Sequence, residues 1–246
     1  MPHRTFDLAE VAEYLHISQS DVERLVHHGE IPFEQQGKRV VFRQREVDAW
    51  ASQRILGLGR AGLENYHRGS SVGAHTKRGA QAHPLRSGHA IVAELIRPEC
   101  IDPAMASRTR PAVLRDMAGL AEKSGLVTDP EGLLESLRQR EELCSTGVPG
   151  GLALLHPRHH DPYLFSDSFL ALARAAQPVH FGAPDTRPTN IFFLIGCQDD
   201  RIHLHVLARL CMMCQETDML QRLREDPGAG LLNVLVAAER EVIGKL

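Results

Sequence analysis

The sequence predicts an α+β protein made of two units with different sequence character. The first 54 residues combine short amphipathic helical stretches with a basic hairpin, whereas the chain from residue 90 places short apolar, strand-like runs between amphipathic helices. Residues 55–89 contain many glycines, serines and histidines and few apolar side chains, as flexible linkers do. We therefore expect one domain at 1–54, a linker at 55–89 and a second domain at 90–246.

Composition and charge describe an ordinary globular protein. Hydrophobic residues make up 43% and charged residues 24% of the chain, and the net charge of −3 predicts no general affinity for polyanions. No secretory signal opens the chain, and the longest apolar run, 191–197, is too short to span a bilayer. Five cysteines without regular spacing favour reduced thiols. We expect a cytoplasmic protein.

The N-terminal stretch follows the pattern helix, turn, helix, hairpin, helix. Thr5 or Asp7 can cap the first helix, and Ser18 or Ser20 the second, because their side-chain oxygens can accept from the free N–H groups of a first turn. Gly29 stands where a left-handed residue ends the second helix.

A hairpin and a third helix complete this unit. The basic turn at 37–39 joins two short strands, the second of which ends at 40–42. The third helix is predicted over 46–51, with Trp50 as its core anchor.

This stretch resembles the winged helix-turn-helix modules of the excisionase and MerR type. In such modules the second helix enters the major groove and the hairpin contacts phosphate. The resemblance therefore implies that Gln19, Arg24 and His28 face DNA, with Lys38 and Arg39 on phosphate. The positions in family register are Leu8, Val11, Ala12, Leu15, Ile17, Ser18, Val22, Leu25, Val26, Gly29, Ile31 and Pro32.

The charge of this unit argues against DNA binding. Residues 1–54 contain seven Lys or Arg and nine Asp or Glu, a net charge of −2. DNA-binding domains are usually basic, because phosphate neutralisation supplies most of the affinity. A winged helix kept for protein docking or dimerisation is the alternative. The linker is basic, and it either adds phosphate contacts or is a solvated tether.

In the second unit the order of strands and helices is predicted from apolar runs and from helix-cap signals in the sequence. Two helices begin with a cap followed by proline in the first turn, at Thr109 and Asp129. The order is β-α-α-β-β-β-α-α-α. The strands are predicted at 91–96, 152–155, 169–173 and 190–196, and the helices at 109–124, 129–142, 199–213, 218–224 and 231–242.

The stretch 140–156 carries the strongest candidate for chemistry. A turn rich in Gly and Pro leads into the apolar run 152–155, which ends at His156, with Arg140 and Arg158 nearby in sequence. This arrangement suits chemistry on an anion. A loop histidine that caps a strand explains the same spacing, and the spacing alone favours that second interpretation.

From about residue 90 onwards the chain resembles the EIIA domain of the bacterial phosphotransferase system, in its mannitol, fructose and nitrogen-regulatory branch. Arg140, 145–148, 151–153 and His156 match the family pattern. Three positions depart from it: Pro149, Gly150 and Leu155. The resemblance implies a three-layer α/β/α domain with a mixed sheet.

The family pattern also implies roles for particular residues. His156 accepts a phosphoryl group from an HPr-type phosphocarrier, Arg140 clamps the phosphoryl oxygens and His203 is the second histidine of the site. His205 is expected on the surface. A phosphoryl-binding loop is expected from Thr146, Gly147, Gly150, Gly151 and Arg158. The resemblance implies a phosphocarrier-type domain rather than a turnover enzyme, with no cofactor.

A metal site is not expected. His159 and His160 follow His156 closely, but the ligand spacing is poor and no cysteine or carboxylate set completes it. Cys211 and Cys214 form a C-x-x-C on a predicted core helix, where buried thiols are expected.

Three functions fit the sequence. The first is a regulator in which phosphorylation of His156 controls DNA binding. The second is a sugar-transport EIIA component, and the third is a binding protein whose phosphorylation site has decayed. Control of DNA binding needs a device beyond the linker, such as docking of the two domains or a homodimer of the EIIA-like domain.

Overall fold

The computed structural model describes residues 5–15, 17–37, 39–57, 62–63, 89–158, 163–198 and 200–245. In the first unit β1 and β2 flank β3 in an antiparallel sheet; α1 and α3 pack against this sheet, and α2 packs on α1. Its elements are β1 (Thr5–Phe6), α1 (Leu8–Leu15), α2 (Gln19–His27), β2 (Glu34–Gln36), β3 (Arg39–Arg43) and α3 (Gln44–Gly57).

The helix ends of this unit follow the predicted signals. Asp7 caps α1, because its Oδ1 accepts from the Glu10 N–H at 2.8 Å while Glu10 returns a bond to the Asp7 N–H. Ser18 caps α2 by accepting from the Asp21 N–H. Gly29 has φ of 65°, the left-handed conformation that ends a helix.

The third helix is longer than predicted. It runs over Gln44–Gly57 rather than 46–51. Ile55 is 2% exposed, so the apolar face continues for one more turn, and the Arg54 guanidinium lies 5.1 Å from the Trp50 ring centre. The burial of Ile55 and the contact between Arg54 and Trp50 both stabilise the additional helical turn that ends at Gly57.

The second unit is built around a mixed sheet in the order β4-β7-β8-β6-β5. The β4/β7 and β6/β8 pairs are parallel, and the β7/β8 and β5/β6 pairs are antiparallel. Its elements are α4 (Ile91–Leu95), β4 (Ile96–Met105), α5 (Arg110–Glu122), α6 (Pro130–Leu143), β5 (Gly147–Val148), β6 (Leu152–Leu155), β7 (Phe169–Val179), β8 (Thr189–Gly196), α7 (Asp200–Glu216), α8 (Met219–Glu225) and α9 (Leu231–Ile243).

Helices cover both faces of this sheet. Successive residues of β6 alternate between two apolar clusters, with Leu152 and Leu154 in one and Ala153 and Leu155 in the other. One cluster includes α5 and α6, and the other includes α7, α8 and α9. The strands are therefore buried on both sides and read as continuous apolar runs. This is the α/β/α arrangement with a mixed sheet that the sequence predicts.

One predicted strand is wrong over most of its length. Residues 91–96 were expected as a strand, but α4 covers Ile91–Leu95 and β4 begins only at Ile96. The buried Glu239 carboxylate accepts from the Val92 and Ala93 N–H groups at 2.9 and 2.8 Å. These bonds cap the first turn of a helix, and a residue 147 positions away supplies them.

The two units share an apolar core through α3 and α7. Val47, Ala51 and Ile55 of α3 belong to the same buried cluster as Leu204 and Leu207 of α7. The two units are thus docked on each other as well as joined by the chain. Most of the predicted linker, 55–89, lies outside the described residues.

None of the helices in the described part of the chain is long and apolar enough to cross a membrane.

Candidate active site

His156 directly follows β6 and is buried, with 3% of its surface exposed. Its Nδ1 lies 2.9 Å from the Leu154 carbonyl oxygen, which can only accept, so Nδ1 carries the proton. Its Nε2 accepts from the Arg140 Nε–H at 3.0 Å. These partners assign the neutral tautomer with the lone pair on Nε2, which makes Nε2 the nucleophilic atom.

Arg140 reaches His156 from the last turn of α6. It is 3% exposed, and its Nη1 donates to the Cys144 carbonyl oxygen at 2.8 Å. Its Nη2 has no hydrogen-bond partner among the described residues. Burial lowers the pKa of this guanidinium, although arginine remains protonated in proteins. The site therefore holds a buried cation with a donor directed beside a nucleophilic nitrogen.

His203 completes the cluster from the first turn of α7. Its ring centre lies 4.8 Å from that of His156, with 50° between the planes. It is 1% exposed, and its Nε2 lies 3.4 Å from the Ser52 Oγ of α3. The N-terminal end of a helix has a positive potential, which favours an anion beside this ring.

Glu141 forms hydrogen bonds with the start of the glycine-rich loop, at Thr146. Its Oε2 accepts from both the N–H and the Oγ1–H of Thr146, at 3.0 and 2.7 Å. Gly147 N–H donates to the Ser145 Oγ at 3.1 Å. In this state the predicted loop donors Thr146 and Gly147 are occupied by partners inside the protein. Glu141 was missed by the sequence reasoning, and its place beside Arg140 was the available signal.

Gly150 and Gly151 lie at the other end of β6 from His156. They form the turn between β5 and β6, with φ of 92° and 76°, which explains glycine at both positions. Gly150 N–H donates to the Asp185 Oδ2 at 2.9 Å. Four residues of β6 separate this turn from His156, about 13 Å in an extended strand. The structure does not bring these glycines to the histidine pair.

Arg158 lies at the exposed edge of the site. Its side chain is exposed, and its backbone N–H donates to the Ser136 Oγ of α6 at 3.0 Å. His159 and His160 lie outside the described residues. Within the ranges that the structure describes, no group of three or more His, Cys, Asp or Glu is placed to hold a metal ion.

Two further expectations concern α7. His205 was expected on the surface, but it is fully buried because α7 has packing partners on more than one side, including α3. Cys211 is buried as expected, and burial raises the pKa of its thiol to about 12. A thiol with such a pKa stays protonated and unreactive at neutral pH.

The candidate DNA-facing residues are exposed on the first unit. Gln19, Arg24, His28 and Arg39 all have solvent-exposed side chains, and Lys38 lies outside the described residues. Arg24 is paired with Asp21 at 2.9 Å. Among the other described basic side chains of this unit, Arg43 pairs with Glu34 and Glu46, and Arg54 with Glu30, whereas no ion pair is seen for Arg39. Acidic neighbours thus offset most of the described positive charge.

Comparison with known proteins agrees with both units. A family model described as "Phosphoenolpyruvate-dependent sugar phosphotransferase system, EIIA 2" matches residues 94–229, and one described as "Helix-turn-helix domain" matches residues 5–64. A nitrogen regulatory protein of Bradyrhizobium diazoefficiens is 30% identical over 151 residues, which cover 59% of this chain and 94% of that protein. The PTS system fructose-like EIIA component of Escherichia coli is 26% identical over 141 residues, 54% of this chain and 92% of that protein.

Solved structures agree on the fold. The crystal structure of nitrogen regulatory protein IIA-Ntr from Neisseria meningitidis has a TM-score of 0.53 at 24% identity, covering 59% of this chain and 99% of that chain. That of IIA mannitol from Escherichia coli has a TM-score of 0.51 at 18% identity, covering 57% and 97%. The EIIA model spans more than half of the sequence. The chain therefore belongs to the EIIA 2 family of the phosphoenolpyruvate-dependent sugar phosphotransferase system, and it carries a helix-turn-helix domain on the N-terminal side of its EIIA domain.

Proposed function

We propose that this protein is a cytoplasmic regulator whose EIIA domain accepts a phosphoryl group on His156 from an HPr-type phosphocarrier, and whose helix-turn-helix domain binds DNA. The observation that carries the proposal is the pairing of the His156 Nε2 lone pair with the buried Arg140 guanidinium. A histidine that only caps a strand does not require a buried arginine beside it, nor an arginine Nη2 that has no hydrogen-bond partner among the described residues.

The transfer needs one nucleophile and one source of positive charge. The Nε2 lone pair forms the new N–P bond, while the N–P bond of the donor phosphohistidine breaks and its electron pair returns to the donor ring. The Nδ1–H of His156 stays on the Leu154 carbonyl and holds the ring orientation. Arg140 must turn from Nε2 towards the phosphoryl oxygens, where its fork of donors offsets the charge.

His203 and Arg158 support the same step without being modified. His203 contacts the ring that receives the phosphoryl group, at the positive end of α7. Arg158 follows the acceptor by two residues and is exposed, so it can meet the incoming phosphocarrier. Thr146 and Gly147 join the phosphoryl-binding set only if the loop gives up its present bonds to Glu141 and Ser145.

The departures from the family pattern weigh little against phosphorylation. Pro149 and Gly150 belong to the turn at the far end of β6, away from the acceptor nitrogen. Leu155 is 1% exposed and belongs to the apolar cluster on the α5 and α6 side of the sheet. These three substitutions leave the arrangement of His156, Arg140 and His203 intact, which favours an active site over a decayed one.

The test is phosphoryl transfer from phosphoenolpyruvate through the general carriers to the purified full chain. We expect an acid-labile, base-stable label that mass spectrometry places on His156, with none on His156→Ala. Circular dichroism serves as the control that the variant is folded. Equal labelling of the wild type and His156→Ala would disprove the acceptor role, and so would no labelling of the wild type.

DNA binding is proposed from the exposed side chains of Gln19, Arg24, His28 and Arg39, together with Lys38, which the sequence places in the basic turn beside Arg39. Because carboxylates offset most of the described basic side chains, the affinity should fall with salt at a slope of only a few phosphate contacts. Phosphorylated His156 adds negative charge and is expected to weaken binding of the full chain. The measurement is fragment affinity at several salt concentrations, with and without the donor system, beside His156→Ala. Absence of binding at low salt would favour the protein-docking alternative.

A further inference from the structure

The helix-turn-helix domain reaches the acceptor site through α3. Ser52 is 4% exposed, and its Oγ lies 3.4 Å from the His203 Nε2. Its neighbour Ala51 and the next-turn residue Ile55 belong to the buried core that also contains Leu207 of α7. The bond from Ser52 joins residues 151 positions apart, so one domain directly contacts the second histidine of the other.

The acceptor site is closed in this docked arrangement. His156 and His203 are only 3% and 1% exposed. A phosphoryl donor must bring its phosphorus to about 3–3.5 Å from the attacking nitrogen. A phosphohistidine carried on another protein cannot approach so closely while the acceptor ring is covered. The group transferred also brings charged oxygens that need room and donors of their own.

We propose that α3 is an autoinhibitory lid: docked on α7 it withholds His156 from the phosphocarrier, and docking and phosphorylation exclude one another. This proposal rests on the proposed role of His156 as the acceptor. The docked and released positions of α3 are the two discrete arrangements that a linker alone does not have. Release uncovers the first turn of α7, and the phosphocarrier then occupies the face that α3 leaves.

The coupling is reciprocal. If docking lowers the affinity of the site for the phosphoryl group by some factor, phosphorylation lowers the docking equilibrium by the same factor. A phosphorylated chain therefore carries its helix-turn-helix domain free of the EIIA domain. In the docked chain α2 remains exposed at Gln19, Arg24 and His28, so the lid acts through α3 and leaves the proposed recognition helix uncovered.

The test measures histidine access without phosphotransfer. Diethyl pyrocarbonate modifies accessible imidazoles, and mass spectrometry of the full chain gives the rate for each histidine. Ser52→Arg places a long cation in the buried contact between α3 and His203, so we expect it to open that contact and to raise the modification rates of His156 and His203 by about tenfold or more. A rise of this size follows if the open form makes up less than about a tenth of the wild-type population. Gln53→Arg adds the same charge at the exposed neighbouring position and should change nothing. The exposed His180 is the internal reference.

A milder variant keeps the test decisive if Ser52→Arg does not fold. Ser52→Ala removes one hydrogen bond and should raise both rates about two- to tenfold. Rates equal to the wild type in both Ser52 variants would overturn the lid. Phosphoryl labelling by the carriers distinguishes the lid proposal from the acceptor proposal. If Ser52→Arg raises the modification rates but His156 is never phosphorylated in any variant, the acceptor role is disproved and the lid is not. Equal labelling and equal modification in every variant would instead overturn the lid and leave the acceptor role standing.

Discussion

Replacing Arg140 by alanine is expected to slow phosphoryl transfer to His156 by about a hundredfold or more, the usual cost of removing one preorganised donor from a transition state. In the resting protein Arg140 holds the His156 Nε2 at 3.0 Å and the Cys144 carbonyl at 2.8 Å. Its Nη2 is buried and has no hydrogen-bond partner among the described residues, so this nitrogen can bond to a phosphoryl oxygen as the Nε–H leaves the His156 Nε2.

Two variants calibrate this effect. Arg140→Lys keeps a positive charge but loses the planar fork, so transfer should fall between the wild type and Arg140→Ala. Arg138→Ala removes a half-exposed arginine of the same helix, 3.9 Å from Glu135, and should transfer at the wild-type rate. The measurement is the single-turnover labelling rate with thermal unfolding as a fold control. Wild-type transfer by Arg140→Ala would show that the guanidinium only positions the loop.

Local sequence signals were sufficient for much of the fold. Caps followed by proline at Thr109 and Asp129 predict helices that the structure has at Arg110–Glu122 and Pro130–Leu143. The run 152–155 is a strand over the same four residues, because it is short and apolar, with two glycines before it and a proline two residues after it. His156 follows the end of that strand and matches the family pattern, and these two signals together predicted it as the centre of the site.

The start of the EIIA domain was misread because its conformation depends on a distant residue. An apolar run of six residues suits a strand or a buried helix equally well. Glu239 decides between them by accepting from Val92 and Ala93. Nothing within the run itself signals a partner so far away along the chain.

The burial of His205 had a signal in the sequence that was not used. Apolar residues are spread around the whole circumference of α7, and a helix with this pattern is one that other elements cover on several sides. These residues are Leu204, Val206, Leu207, Ala208, Leu210, Met212 and Met213. That pattern indicates a further layer over α7. It does not identify α3 as the layer, nor Ser52 as the residue that meets His203, because both follow from how two distant segments dock.

Glu239→Ala is expected to lower the free energy of unfolding by about 3–5 kcal/mol, since it removes a buried carboxylate that faces a buried guanidinium. Arg209 and Glu239 are both fully buried, with the Arg209 Nη1 3.7 Å from the Glu239 Oε1. Burial raises the pKa of Glu239 and lowers that of Arg209, so neither charge is held there without cost. The carboxylate also caps α4, where the chain enters the EIIA domain.

The control is the exposed ion pair at the C-terminal end of the same helix, between Glu241 of α9 and Lys245 just beyond it. Lys245 and Glu241 are closer, at 2.7 Å, but both are more than a third exposed, and Glu241→Ala should cost less than about 1 kcal/mol. Denaturant unfolding of both variants measures the difference, and equal midpoints would contradict the prediction. A double variant, Arg209→Met with Glu239→Gln, should regain part of the loss because both charges of this buried pair are then removed.

The pH dependence of the unfolding free energy gives a second and independent test of how the Glu239 carboxyl contributes to stability. Its pKa in the folded state is above that in the unfolded state, so the folded chain binds the proton more tightly. This contribution to stability is fully present below the ordinary carboxyl pKa and is lost as the pH rises through the folded value. Glu239→Gln cannot titrate, and its unfolding free energy should lack that decline. A decline of equal size in Glu239→Gln would assign the effect to another group and leave the capping of α4 as the main role of this side chain.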